Sequence, residues 1–323
     1  MRAIEAVAFG GPEVLEVRQL PAPVAEAGDV VIDVAVAPVL FLDTQIQAGL
    51  ARDSFPARRP PYVPGAGVAG TAGSVGTDVE PAWAGRRVVA DTPAGGYLEQ
   101  AVVPADRLIP VPDGIDLADA AALLHDGRTA LALVEATVPQ AGDWVLVTGA
   151  AGGLGVLLVQ LAHRAGARVI GAARGEKKLA LITENGADAV VDYSRPDWAG
   201  QAVRITGGAG PSLVLDGVGG DIGRAAFDVT AAGGRFSAHG TPGGGFAPVN
   251  PGDAAERGIS VLGIDRVQLE PAEATRLTSL AFAEAASGRI KPVIGQTFSL
   301  EGAADAHRAI ESRAVLGKTL LEI

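Results

Sequence analysis

The hydrophobic positions change their rhythm twice along the chain. Val30-Val31-Ile32-Asp33-Val34-Ala35-Val36 is a nearly unbroken β-branched run that stops at Pro38. Val68 to Val75, Arg87-Val88-Val89-Ala90 and Leu98 to Val103 are further short runs between Gly, Pro and Asp clusters. β-branched residues suit a pleated surface and the clusters turn the chain, so this part predicts short strands in a compact barrel. From Asp116 the texture changes: an acidic start leads into Ala120-Ala121-Ala122-Leu123-Leu124, the pattern of a helix. After Asp143, apolar runs alternate with helical segments: Trp144 to Thr148, Arg168 to Gly171, Ala189 to Asp192, Leu213 to Asp216, a helix from about Ile222, and Gly234 to Ser237. That βαβαβ order predicts a parallel sheet covered by helices. Val293 to Phe298, a helix over Ala303–Glu311 and an apolar end at Lys318-Thr319-Leu320-Leu321 follow, and this last strand is expected to return to the first domain.

Length and composition narrow the classes. A chain of 323 residues has room for two domains, and with 48% hydrophobic and 20% charged residues it is globular rather than disordered. The net charge of -11 argues against nucleic acid or anionic membrane as a partner, because phosphate contacts need clustered Lys and Arg. Cysteine is absent, which removes disulfides, thiolate nucleophiles and every cysteine-containing zinc site. His125, His163, His239 and His307 stand singly, so no metal is expected. The first residues hold no apolar leader, and no long apolar run is free of Gly or charge, so a cytoplasmic protein is expected.

The strongest local signal is Val145-Leu146-Val147-Thr148-Gly149-Ala150-Ala151-Gly152-Gly153-Leu154-Gly155, followed by the helical Val156 to Ala165. A strand that runs through glycines into a helix lets backbone N–H groups and the helix dipole approach a pyrophosphate. Strand, turn, helix and second strand are all in place, which is the context this motif requires. The same letters fit the Thr-Gly-x-x-x-Gly-x-Gly of short-chain dehydrogenases, which is paired with a catalytic Tyr-x-x-x-Lys. Four residues after Tyr62, Tyr97 and Tyr193 stand Ala66, Ala101 and Asp197, so that reading fails. NAD sites place Asp or Glu at the end of the second strand; here Ala173 is followed by Arg174, Gly175, Glu176, Lys177 and Lys178. Arg offers a fork for a 2′-phosphate that a carboxylate would repel, so NADP(H) is the expected cofactor.

Taken together, these blocks resemble the zinc-independent quinone oxidoreductases (zeta-crystallin-like) of the medium-chain dehydrogenase/reductase superfamily. Gly11-Pro12-Glu13-Val14-Leu15 looks like the family's opening strand, and Pro64-Gly65-Ala66-Gly67-Val68-Ala69-Gly70 like its strand turn. Asp216-Gly217-Val218-Gly219-Gly220, Lys291-Pro292-Val293-Ile294-Gly295 and Ala306-His307-Arg308-Ala309-Ile310 with Gly317-Lys318 are similar to later family blocks. The resemblance implies an α/β fold: a GroES-like β-barrel catalytic domain from residues 1–118 and 289–323, and a Rossmann doubly wound parallel sheet over 119–288. Where zinc-dependent relatives carry Gly-His-Glu, this chain has Gly65-Ala66-Gly67.

Carried over by resemblance, Ala151, Gly152, Gly153 and Leu154 would hold the pyrophosphate. Arg174, Lys178 and Tyr193 would surround the 2′-phosphate. Gly219, His239, Gly240, Thr241 and Pro242 would line the cofactor's nicotinamide half, and Lys318 would close the phosphate side. The family block Gly-Val-Asn-Pro-x-Asp-x-Tyr reads differently here: Leu40 takes the Asn place and Gln45 the Tyr place, with Phe41 and Leu42 beside them. Gln45, Thr129 and Leu40 are the residues expected to face the acceptor. Without metal or thiol the expected chemistry is direct hydride transfer from NADPH to a quinone or an α,β-unsaturated carbonyl compound. An enoyl reductase acting on a biosynthetic, carrier-bound intermediate and a non-catalytic NADPH-binding protein are the alternatives. The resemblance also implies a homodimer, through the apolar segment Ile259 to Ile264.

Overall fold

The computed structural model of the protein describes residues 1–51, 58–93 and 95–323. The chain forms two units, Met1–His125 with Thr278–Ile323, and Asp126–Leu277.

In the first unit β1 (Arg2–Ala6) and β2 (Leu15–Gln19) pair antiparallel, Arg2 opposite Gln19. The strand expected from Gly11 starts only at Leu15, because Pro12 lacks an N–H for a ladder and begins a 3₁₀ turn over Pro12–Val14. β3 (Asp29–Val39) leads into α1 (Phe41–Gln47); β4 (Gly67–Val75), β5 (Arg87–Asp91), β6 (Gln100–Pro104), β7 (Ile109–Pro110) and α2 (Leu117–Thr137) follow. β3 is long enough to be shared: its first half pairs with β6, Asp29 opposite Pro104, while β4 runs along its other edge. Alternate residues of these strands point inward, and Val30, Ile32, Val34, Val68, Val88, Ala90, Leu98 and Val103 make one core.

The second unit alternates strand and helix: β8 (Trp144–Thr148), α3 (Gly153–Arg164), β9 (Arg168–Ala173), α4 (Glu176–Glu184), β10 (Ala189–Asp192), α5 (Trp198–Ile205), β11 (Leu213–Asp216), α6 (Gly220–Asp228), β12 (Arg235–Ala238), α7 (Pro251–Glu256) and β13 (Ser260–Leu262). The sheet order is β10-β9-β8-β11-β12-β13, with every pairing parallel. Strand order reverses between β8 and β11, and at such a switch the following segments part to opposite faces and leave a crevice at the carboxyl ends. Leu146, Ile170, Val191, Val214, Phe227 and Phe236 fill the core, Phe227 and Phe236 meeting edge to face at 5.4 Å.

The chain leaves this unit within α8 (Pro271–Ala286) and completes the first with β14 (Ile294–Ser299), α9 (Ala303–Glu311) and β15 (Lys318–Glu322). β15 pairs antiparallel with the second half of β3, Leu321 opposite Ala37, and parallel with β14, so the last strand does return to the barrel. Leu321 is fully buried with Ile4, Ala37, Tyr97, Leu300 and Ala303. Leu321→Ala should therefore destabilise the barrel by about 2–5 kcal/mol, read as a lower midpoint in chemical denaturation.

Candidate functional site

The second unit gathers its candidate residues where the strand order reverses. β8 ends at Thr148, the chain turns at Gly149 (φ +65), and α3 starts at Gly153 with Gly152 as its N-cap. A Cβ on Gly155 would lie 2.3 Å from the Gly149 carbonyl oxygen, so only glycine lets the first turn of the helix pack this closely on the loop. Gly153 and Leu154 therefore point the free N–H groups of a helix start out of the sheet edge, with Ala151 and Gly152 leading into it.

Two further loops share that edge. Asp216, at the end of β11, is wholly buried; its carboxylate accepts from Thr148 Oγ1 at 2.6 Å and from the N–H groups of Val218 and Gly219. Burial raises its pKa, and the donors of Thr148, Gly219 and Val218 oppose that rise. The loop after β12 is laced to it: Gly243 N–H donates to Val218 O at 2.6 Å and Gly220 N–H to Gly245 O at 2.9 Å. Gly244 and Gly245 N–H donate to the Thr241 carbonyl, which folds the Thr241-Pro242 turn. Gly240 lies on Gly217 so closely that a Cβ there would come within 2.0 Å of its carbonyl. His239 is 9% exposed, its Nδ1 is 3.2 Å from Ser237 Oγ, and its buried Nε2 has no hydrogen-bond partner among the described residues. Burial lowers its pKa to about 4, so the ring is neutral at pH 7. A row of backbone N–H groups, a cradle that Cβ atoms would fill and an orphaned imidazole nitrogen fit a dinucleotide's pyrophosphate and ribose.

The adenosine end would meet the tips of β9 and β10. Arg174 is exposed and Gly175 (φ +85) caps α4, its N–H donating to Asp192 Oδ2 at 3.2 Å. Ser194 holds Asp192 on the other side, and these bonds keep its pKa below the ordinary carboxylate value. Arg174 and Lys177 enter no ion pair among the described residues, and Lys178 lies on the same first turn of α4. Tyr193 stacks edge-on against Trp198 at 6.4 Å, and its N–H donates to Ala173 O.

The first unit holds a different cluster. Leu40 is the N-cap of α1 and is half-buried; its N–H donates to Asp43 Oδ2 at 2.9 Å. Phe41 packs into the core, whereas Leu42 stays 37% exposed, so the apolar triplet is divided between core and surface. Gln45 is half-buried, and its amide nitrogen lies 3.4 Å from Thr44 Oγ1. Behind α1 the Tyr97 hydroxyl lies 3.3 Å from Asp43 Oδ2 and 3.1 Å from His307 Nε2, and His307 Nδ1 is 2.6 Å from Gln47 Oε1. The Gln47 amide nitrogen donates to Gly10 O, so its oxygen accepts from His307 Nδ1–H, and the single Tyr97 hydroxyl proton faces two acceptors, Asp43 Oδ2 and His307 Nε2. Burial lowers the His307 pKa to about 4, which agrees with that neutral tautomer. Burial raises Asp43, while Leu40 N–H and the charges of His125 and Lys318 oppose it. Lys318, at the start of β15, is itself buried. Gln45, Leu40 and Lys318 thus belong to the barrel unit, whereas Thr129 lies on the part of α2 that belongs to the other. Sequence reasoning missed the Tyr97–His307–Gln47 set: His307 lies in one of the family-like blocks, but nothing in the sequence joins it to Tyr97 or Gln47. Among the described residues no group of three or more His, Asp or Glu could hold a metal, and no helix is long and apolar enough to cross a membrane.

A barrel built from both chain ends and a six-stranded nucleotide-binding sheet define the architecture of a medium-chain dehydrogenase/reductase. Residues 26–113 match the alcohol dehydrogenase GroES-like domain, and residues 153–282 match the family described as zinc-binding dehydrogenase. The quinone oxidoreductase of Rattus norvegicus is 32% identical over 99% of this chain and 97% of its own. That of Pseudomonas aeruginosa is 31% identical over 99% of both. Among solved structures, Escherichia coli quinone oxidoreductase complexed with NADPH has a TM-score of 0.91 at 29% identity, covering 100% of both chains. The chain belongs to the quinone oxidoreductase family.

The buried His307 makes barrel stability depend on pH. Its pKa is about 4 when folded against 6.5 when unfolded, so acidification protonates the unfolded chain first and stability falls between those values. The lead in Tm of the wild type over His307→Asn should shrink as pH drops from 6.5 to 4. A constant lead would mean that the ring is charged in the folded barrel.

Proposed function

We propose that the protein is an NADPH-dependent reductase that delivers hydride to a quinone or another α,β-unsaturated carbonyl acceptor. The observation that carries this reading is the glycine cradle at the strand-order reversal, followed by Arg174 in place of the acid that NAD sites use. Full-length similarity to quinone oxidoreductases, one of them solved with NADPH, supports it. Ala151, Gly152, Gly153 and Leu154 would hold the pyrophosphate: the Gly152 N–H closes the turn on Gly149 O, the N–H groups of Ala151, Gly153 and Leu154 would meet the phosphates, and the α3 dipole would favour their charge. Arg174 and Lys178 would bind the 2′-phosphate, with Tyr193 beside the adenosine. Gly219, Gly240, Thr241 and Pro242 would line the nicotinamide half, and the His239 Nε2 would accept a ribose hydroxyl. Bound NADPH supplies the hydride, so the task left to the protein is positioning and exclusion of water. Leu40 gives the acceptor an apolar surface in the barrel unit, and Gln45 and Thr129 are its polar contacts.

NADPH consumption, followed by the nicotinamide absorbance with 1,4-benzoquinone, 2-cyclohexenone and crotonyl thioester in parallel, tests this. Quinone or enone turnover is expected. Thioester turnover alone would make the protein an enoyl reductase, and tight NADPH binding with no turnover a binding protein. Arg174→Glu should weaken NADPH binding at least about tenfold while leaving NADH binding nearly unchanged, since a charge-assisted bond contributes about 1.5–3 kcal/mol.

We further infer a cytoplasmic homodimer built on β13, which ends the parallel sheet with Val261 43% exposed. Sedimentation should show twice the 32.5 kDa chain mass, and Val261→Lys should shift it toward monomer.

A further inference from the structure

α2 carries a histidine that the reading above does not use. His125 Nε2 lies 3.1 Å from Asp91 Oδ1, at the end of β5, and its ring is only 12% exposed. The other nitrogen, Nδ1, is buried and has no hydrogen-bond partner among the described residues. The imidazole rests on bare backbone: a Cβ on Gly67 would lie 2.7 Å from His125 Cε1, so any other residue at the start of β4 would displace the ring. Its charge is felt at Asp43, the buried carboxylate that caps the start of α1 beside Leu40 and Gln45. The barrel unit therefore holds an imidazole fixed at one nitrogen by a carboxylate, with the second nitrogen unsatisfied among the described residues and the ring close enough for its charge to act on the carboxylate at the start of α1. A ring oriented by a carboxylate with its opposite nitrogen unpartnered is the arrangement of a general acid–base.

We propose that His125 is the proton donor to the acceptor's carbonyl oxygen, with Asp91 as its positioning residue. The inference rests on the reductase reading and deepens it. A ring protonated on both nitrogens donates Nε2–H to Asp91 and keeps Nδ1–H for the acceptor. As hydride arrives at the β-carbon, the C=C electron pair moves to form a new double bond to the carbonyl carbon, and the C=O π pair moves to oxygen. That oxygen takes the proton from Nδ1, the N–H bond breaks, and the product is a neutral enol that tautomerises in water. The ring is left neutral with Nε2–H still on Asp91 and takes its next proton from solvent. Acceptor, hydride and one proton balance, and no further reductant is needed. An enone has one carbonyl to stabilise the developing charge, whereas a quinone has two, so an enone depends on the donor far more.

The test compares wild type, His125→Leu, His125→Gln and Asp91→Asn on 2-cyclohexenone and 1,4-benzoquinone, in H₂O and D₂O, with NADPH affinity measured by fluorescence titration. His125→Leu should lower kcat on the enone about a hundredfold and on the quinone far less, with NADPH affinity within about twofold of wild type. The solvent isotope effect on the enone kcat should be present in the wild type and lost in the variant. Asp91→Asn should give an intermediate kcat with little change in KM. Equal losses on both acceptors, or an unchanged enone kcat and isotope effect in both His125 variants, would overturn the proposal and leave the reductase reading standing. A wild type that oxidises NADPH with neither acceptor would overturn both.

Discussion

At the carboxyl end of a parallel sheet every strand delivers its loop to the same edge, and something must hold neighbouring loops in register. Here that is the Asp216 carboxylate, removed from water and answered by the Thr148 hydroxyl and two backbone N–H groups. It ties the ends of β8 and β11, the two strands between which the order reverses. The turn into α3 and the loop that supports Gly240 are thereby built on one buried anchor. An apolar residue at 216 would leave Thr148, Val218 and Gly219 with unpaired donors at the carboxyl end of the sheet.

The barrel unit uses the same device for another purpose. Asp43, Tyr97, His307 and Gln47 come from α1, the loop before β6 and α9, and their bonds fix one tautomer and one amide orientation. The α1 segment that presents Leu40 and Gln45 is thus held from behind by side chains rather than by its own short helix. Leu40 and Gln45 form an apolar and weakly polar face over that polar floor.

Much of the parallel sheet was legible in the sequence because its strands are buried on both faces and bounded by Gly and Asp. Trp144–Thr148, Ala189–Asp192 and Leu213–Asp216 fall where the apolar runs lie, and the helix over Ala303–Glu311 does likewise. The helix α1 was not legible: Pro38 and the mixed Phe41-Leu42-Asp43-Thr44 give no N-terminal signal, and its capping bond comes from a residue inside the helix. The strand β1 was hidden for a different reason, since its five residues mix charge and apolar character and are settled by pairing with β2. The glycine turn announced itself because its chemistry is local. The polar floor could not, since Tyr97 and His307 are 210 positions apart and meet only through the closing of the barrel. The His125–Asp91 pair is of the same kind, each residue unremarkable until β5 and α2 are side by side.

The pairing of β15 with β3 sets an order on events during synthesis. Everything the nucleotide-binding sheet needs, from β8 to β13, lies in one continuous stretch that has left the ribosome before the last segment is made. The barrel cannot close its sheet until Lys318–Glu322 emerges to meet Val36–Val39, hundreds of residues earlier in the chain. Until then the edge of β3 that awaits β15 is an open template for mispairing. A nascent chain of this protein therefore carries a finished cofactor-binding unit beside an unfinished barrel, and chaperone dependence should concentrate on the latter.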